Sequence, residues 1–360
     1  MASLAIPRIL SYNVYRLHGT QGGNQLGNNT HSADSTYSKR GIPLRLAAMF
    51  MAVLLLFAML GGTAQASTGR YTGVVSSAVI TSDNYFTYLT FTANERLTFT
   101  FGYTRTTVSI RVNRASYFPD TVSVGANPLF TSARWLGNTL TLTLTSRDGF
   151  VGYHGFYDAD GNMVIRFRNP PSSMSVARIV IDPGHGGRDR GAEGFRRDLP
   201  ESVLNQQISS LLAAELRQRG ATVLVLDTAQ GMELRERVRQ AELFNADFFI
   251  SIHKNASRSA SARGTEVFFF TPFSHIMAAT ASRNISGRLG TTNRGAKRAR
   301  FAVTMSPQFI SVLVESGFMT NRAEYEKLIN PHYQREIALG LANAVDAVIA
   351  HSYPGSGRVS

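Results

Sequence analysis

The sequence predicts an α/β C-terminal domain, a mostly parallel twisted sheet with helices on both faces, preceded by a small all-β N-terminal domain. Three observations predict it. From residue 176 onward, short apolar runs alternate with stretches of helical period, the pattern of strands and the helices that cover them. Between residues 70 and 168 the period is two, apolar and polar by turns, as in strands with one wet face. Between the two patterns lies Asn169-Pro170-Pro171-Ser172-Ser173, which reads as a stiff polar linker over 169–175. A length of 360 residues with 43% apolar content suits two packed domains.

Residues 1–43 are polar, rich in Gly, Asn, Ser and Thr, and without periodicity, so a disordered leader is expected there. Residues 44–66 read as a secretory signal peptide. Arg45 supplies the basic flank, Leu46–Leu60 the apolar run, and Ala64-Gln65-Ala66 the small-residue exit, with cleavage expected after Ala66. The run is short for a membrane span, so the membrane is expected to matter only during export. In 70–168, strands are predicted at Leu97–Phe101, Thr107–Val112, Leu140–Leu144 and Met163–Phe167. The last pairs as a hairpin with Tyr153–Tyr157 across Asp158-Ala159-Asp160-Gly161-Asn162. The region reads as a small sandwich without a catalytic constellation. Its aromatic residues (Tyr85, Phe86, Tyr88, Phe91, Phe99, Phe101, Tyr103) suit sugar stacking, but more often such rings fill a β core. His154 reads as structural.

In 176–352 the first strand is Ile179–Ile181, stopped by Pro183-Gly184-His185-Gly186-Gly187. A helix over Glu201–Arg219 buries Leu204, Ile208, Leu211, Leu212 and Leu216 and ends at Gly220. Strands follow at Ala221–Leu226, at Phe248–Ile252 ending in His253, at Thr265–Phe270, near Phe301–Val303, and at Ile310–Val314 ending in Glu315. Helices are predicted from Leu234 through Leu243, at Phe273–Leu289, Arg322–Ile329 and Pro331–Ala350.

The net charge is +13, from 37 Lys and Arg against 24 Asp and Glu, which favours an anionic polymer as partner: nucleic acid, a membrane surface or an acidic cell wall. The signal peptide and the acidic residues of the motifs weigh against nucleic acid. There are no cysteines, so disulfides and thiolate metal sites are excluded and any metal must be held by His, Asp or Glu.

His185, His253 and Glu315 all follow or end apolar strands. Parallel strands would bring such groups to one edge of the sheet, where α/β ligands bind. Glu201 opens the first helix, and Asp182 sits at the same edge. Two imidazoles and a carboxylate are a standard catalytic zinc set with one position left for water, and a second carboxylate can take that water's proton. His185 and His253 are too far apart in sequence to form a local zinc motif. His275, His332 and His351 lie in predicted helical segments without partner signals and read as surface residues.

Ile181-Asp182-Pro183-Gly184-His185-Gly186-Gly187, with Gly191-Ala192, resembles the opening of zinc-dependent N-acetylmuramoyl-L-alanine amidases. So do Leu234-Arg235-Glu236-Arg237, Phe249-Ile250-Ser251-Ile252-His253-Lys254-Asn255-Ala256, Gly264-Thr265-Glu266-Val267, Asn293-Arg294-Gly295-Ala296-Lys297 and Val312–Asn321, in that order over about 177–350. The resemblance implies one Zn2+ held by His185, Glu201 and His253, with Glu315 catalytic. It implies cleavage of the amide between the lactyl group of N-acetylmuramic acid and the L-alanine of the peptidoglycan stem. Pro200 suits the first turn of the helix that Glu201 opens, with Glu193 and Asp198 as rival ligands. Asp182 is expected to orient a ligand histidine. Lys254, standing where the family has a small residue, and Asn255 are expected substrate contacts. Arg294 would either contact a substrate carboxylate or tie loops to the last strand. The interval from His253 to Glu315 leaves no room for the long inhibitory helix of some relatives, which implies a site open without an activator. The expected location is extracytoplasmic and wall-associated, in the periplasm or at the cell surface. Peptidoglycan is the expected partner, with anionic wall polymers on the basic surface.

Overall fold

The computed structural model describes residues 73–352, so the expected leader (1–43) and signal segment (44–66) lie outside the described residues. Ten strands occupy 73–168: β1 (Gly73–Ser82), β2 (Phe86–Ala93), β3 (Thr98–Tyr103), β4 (Thr107–Asn113), β5 (Ala115–Tyr117), β6 (Ser123–Val124), β7 (Phe130–Leu136), β8 (Thr139–Leu144), β9 (Tyr153–Tyr157) and β10 (Met163–Arg168). They form two sheets, β5-β1-β2-β10-β9 with β6 on β1, and β3-β4-β8-β7. The period of two is visible in burial: along β8, Leu140, Leu142 and Leu144 are buried while the threonines between them are half-exposed. The aromatic rings mostly fill the interior. Phe91 is fully buried, and Phe101 stacks on Tyr153 with centroids 3.8 Å apart, whereas Tyr85 is exposed.

The α/β region comprises β11 (Arg178–Pro183), α1 (Glu201–Gln218), β12 (Thr222–Val225), α2 (Leu234–Leu243), β13 (Phe248–Asn255), β14 (Thr265–Phe269), α3 (His275–Leu289), β15 (Asn293–Arg298), β16 (Ile310–Phe318), α4 (Arg322–Leu328) and α5 (Pro331–Ser352). The sheet order is β12-β11-β13-β16-β14-β15. The first four strands are parallel, β14 runs antiparallel to β16, and β15 is parallel to β14. Alternate residues sort the faces. Ile179, Ile181, Phe248 and Ile250 pack with α1, α3 and α5, while Val180, Phe249 and Leu313 pack with α2 and a 3-10 turn at Ala302–Thr304. Among the described residues no helix is long and apolar enough to cross a membrane.

The expected strand near Phe301–Val303 is that 3-10 turn, and the strand lies earlier, at β15. β15 is an edge strand in which Arg294 and Arg298 are exposed and Lys297 is half-buried, so it lacks the apolar alternation by which strands are read. Phe301 packs edge-on against Phe268 at 5.1 Å, and Val303 is buried from its turn, so their apolar character serves packing rather than a sheet.

The segment after β10 is packed rather than exposed, with Asn169, Pro170 and Pro171 all buried. Asn169 accepts from Thr87 Oγ1 at 2.7 Å and donates to the Asp83 carbonyl at 3.0 Å. Arg168 meets Asp247, just before β13, at 2.8 Å, both side chains buried. Tyr153 N–H donates to the Pro307 carbonyl at 2.7 Å, and Phe150 sits edge-on to Phe273 at 5.1 Å. One apolar core runs through both regions.

Candidate metal centre

Parallel pairing places the carboxyl ends of β11, β13 and β16 along one edge, with Pro183 opposite Ile252 and His253 opposite Glu315. His185 stands just past β11 in a turn whose φ values are +66° at His185, +125° at Gly186 and +60° at Gly187. A left-handed non-glycine residue is strained, and such strain clusters at functional sites. The turn is also crowded. A Cβ on Gly184 would fall 2.2 Å from His253 Nε2, and one on Gly191 2.6 Å from Glu201 Oε2. Only glycine lets these loops close over the two imidazoles.

The ligand atoms of His185, Glu201 and His253 lie within 4.8 Å of one another. His185 Nε2 is 3.1 Å from Glu201 Oε2, and His253 Nδ1 is 2.9 Å from Glu201 Oε1. Glu201 is the first residue of α1, where the helix dipole favours a carboxylate. It is buried and accepts N–H bonds from Ala192 at 2.8 Å, Lys254 at 2.9 Å and the Asn205 amide at 3.3 Å. Burial alone would raise its pKa, but the hydrogen bonds and charges of the two histidines hold it far below the usual carboxylate range. Burial lowers His185, and Glu201 with Asp189 overrides that and lifts it to about 9. The rivals Glu193 and Asp198 are solvent-exposed, facing Arg197 and Arg196.

Glu315 projects from β16 into the same cleft, a cavity of about 880 Å³ whose walls also include Arg188, Met232, Leu234 and Phe301. Its Oε2 is buried with no hydrogen-bond partner among the described residues. Burial first, and then the charge of Glu201, push its pKa up to about 8, against the pull of Lys254. Two imidazoles, a carboxylate and an unpartnered carboxylate oxygen beside them fit a catalytic zinc.

The remaining expected site residues take different places. Asp182 touches neither histidine. It accepts from Arg237 at 2.6 Å and Ser251 Oγ at 2.7 Å, and Asp189, 2.8 Å from His185 Nδ1, takes the expected orienting place. Lys254 lines the cleft like Asn255 but is buried, and its ammonium donates to Asn205 Oδ1 at 2.8 Å. Burial lowers it to about 8 against the charges of Glu201 and Glu315. Asn255 does line the cleft, and its amide donates to Glu266 at 2.8 Å. Arg294 is not among the cleft-lining residues. It donates to Glu266 at 2.5 Å and covers the Phe318 ring, the loop-tying alternative. His351, read as lacking a partner, lies 3.2 Å from Asp148.

Sequence reasoning missed Asp189 and Asn205, and it gave Glu266 and Arg237 no role although both stand in matched motifs. Arg237 left a signal: it falls four residues before Ala241, on the same buried face of α2, where a charge needs partners. It donates to the carbonyls of Met232, Pro183 and His185.

A family model described as N-acetylmuramoyl-L-alanine amidase matches residues 179–347. The uncharacterized protein YqiI of Bacillus subtilis is 36% identical over 174 residues, covering 47% of this chain and 83% of that one. N-acetylmuramoyl-L-alanine amidase LytC of Bacillus subtilis is 35% identical over 192 residues, 49% of this chain and only 38% of LytC. N-acetylmuramoyl-L-alanine amidase CwlM of Bacillus licheniformis is 32% identical over 180 residues, 47% of this chain and 68% of that one.

Proposed function

Because the chain belongs to the N-acetylmuramoyl-L-alanine amidase family, we propose that it is a secreted zinc-dependent enzyme that hydrolyses the amide between N-acetylmuramic acid and L-alanine in peptidoglycan. The observation that supports this most is the meeting of His185, Glu201 and His253 with the unpartnered oxygen of Glu315 in one open cleft. The apolar run and Ala-x-Ala exit of residues 44–66 support export to the periplasm or cell surface. The charge of +13 suits a wall that carries anionic polymers.

His185, Glu201 and His253 would hold the metal. When bound, zinc supplies a Lewis acid for water and for the amide carbonyl. Asp189 fixes the far nitrogen of His185, so the near one faces the centre. Glu315 takes the proton of the attacking water and returns it to the alanine nitrogen as the carbon–nitrogen bond breaks. A carboxyl held near neutrality by burial suits both steps. The lactyl carboxylate and a stem peptide with a free L-alanine amine are the products.

The test digests intact peptidoglycan with the zinc-loaded full chain and identifies soluble products by mass spectrometry. Free stem peptides beginning in L-alanine are expected. Shortened stems still joined to muramic acid would replace this reading with a peptidase. No release, with binding to the wall retained, would leave a wall-binding protein.

A further inference from the structure

A second cavity, of about 680 Å³, opens at the seam between the strand region and the α/β region, remote in residue content from the metal cleft. Its size falls in the range of small-molecule sites, roughly 300–1,000 Å³. Tyr103, Arg105 and Asp148 contribute from the strand region, and Ile276 and Arg283 of α3, Arg298 of β15 and His351 of α5 from the other side.

The charge of this cavity is unbalanced. Its single carboxylate, Asp148, is already saturated. Arg105 Nε lies 2.8 Å from both its oxygens, His351 Nε2 is 3.2 Å away, and the side chain is 5% exposed. That leaves Arg283 and Arg298. Arg283 is exposed and meets no acidic partner among the described residues. Arg298 spends its Nε on the Phe270 carbonyl at 3.1 Å and lies over the Phe270 ring at 5.0 Å. That contact steadies the guanidinium while leaving its two terminal amino groups, which have no hydrogen-bond partner among the described residues, to an incoming anion. A planar fork held in place is the geometry that suits phosphate and carboxylate oxygens. Beside these cations the wall is apolar, with the half-buried Ile276 and the Tyr103 ring, whose hydroxyl burial keeps protonated by raising its pKa. A ring face next to an anion fork suits a sugar bearing a charged group.

We propose that this seam cavity is a binding site for a phosphorylated sugar, its phosphate on Arg283 and Arg298 and its ring against Tyr103 and Ile276. The site is independent of Glu315 and of the metal.

The test is calorimetric titration of the full chain with glucose 1-phosphate, inorganic phosphate and glucose. Glucose 1-phosphate should bind tightest, glucose weakest, and affinity should fall as salt rises. The double variant Arg283→Gln/Arg298→Gln should weaken binding by about tenfold or more, with its melting temperature unchanged. Ile276→Trp, which fills the cavity without altering charge, should weaken it as well. Glu315→Ala should bind as the parent does, which separates this site from the amidase reading. Undiminished binding in either seam variant would overturn the proposal, and so would inorganic phosphate or glucose binding as tightly as the sugar phosphate.

Discussion

Strands β13 and β16 meet buried charge at both ends, and the two ends differ in how it is balanced. At the amino ends Asp247 faces Arg168 at 2.8 Å and accepts the Arg178 N–H at 2.7 Å, and the Asp247 carbonyl receives the Ile310 N–H. At the carboxyl ends Glu315 lies opposite Glu266 and near Glu201, and one of its oxygens has no partner. The first arrangement ties two parts of the chain together. The second keeps a carboxyl out of balance, which suits the proton exchange proposed for Glu315. Burial of charge is therefore no sign of function by itself; Arg168 also keeps an unpartnered amino group, and the discriminating feature is an opposite charge in contact, which Arg168 has in Asp247 and Glu315 lacks among the described residues.

Removing the unbalanced group should cost activity but not stability. Glu315→Gln is expected to slow stem-peptide release on the order of 10²–10⁴-fold, with a melting temperature at or above that of the parent. A variant that unfolds would break the comparison. Removing the balanced group should do the reverse. Arg168→Met strands a buried Asp247 and is expected to destabilise by about 3–5 kcal/mol in denaturant titrations, with turnover at low temperature retained.

A smaller effect is expected where support meets chemistry. Arg237→Lys keeps the charge but loses the fork that spans Asp182 and the carbonyls of Pro183 and His185. Zinc affinity, read by competition with a chelator, should weaken roughly 10–100-fold. Unchanged affinity would confine Arg237 to packing.

The smallest effect is a pH dependence. Burial raises Asp247 from 3.8 to about 6 in spite of Arg168. The folded chain thus binds the proton more tightly than the unfolded one. This group's contribution to stability is full below 3.8 and is lost as pH rises through about 6. Against Asp247→Asn, the parent's melting temperature should decline relative to the variant across that window; parallel profiles would show that the pair is insensitive.

Much of this frame is legible in the chain because strand and helix periods are local. His185, His253 and Glu315 stand out as polar residues at the ends of apolar runs, and the glycines around His185 announce a tight turn. The rest is not local. Asn205 joins Lys254 to Glu201 across 49 residues, and Glu266 gathers Asn255 with two cations from β15, contacts that no spacing rule encodes. Residues 169–175 mislead for another reason. Their composition is that of an exposed linker, yet Pro170 and Pro171 have no N–H to leave unpaired, and Asn169 finds partners for its amide, so burial is cheap.

The core that passes beneath that segment has a consequence for how the molecule comes apart. With apolar side chains of the strand region and of α3 and α5 in one cluster, parting the two regions would expose apolar surface on both. Melting should proceed as one calorimetric transition, its van't Hoff and measured enthalpies equal. A protease should find no nick between Arg168 and Pro171 in the native protein, and a fragment cut there on purpose should precipitate rather than work.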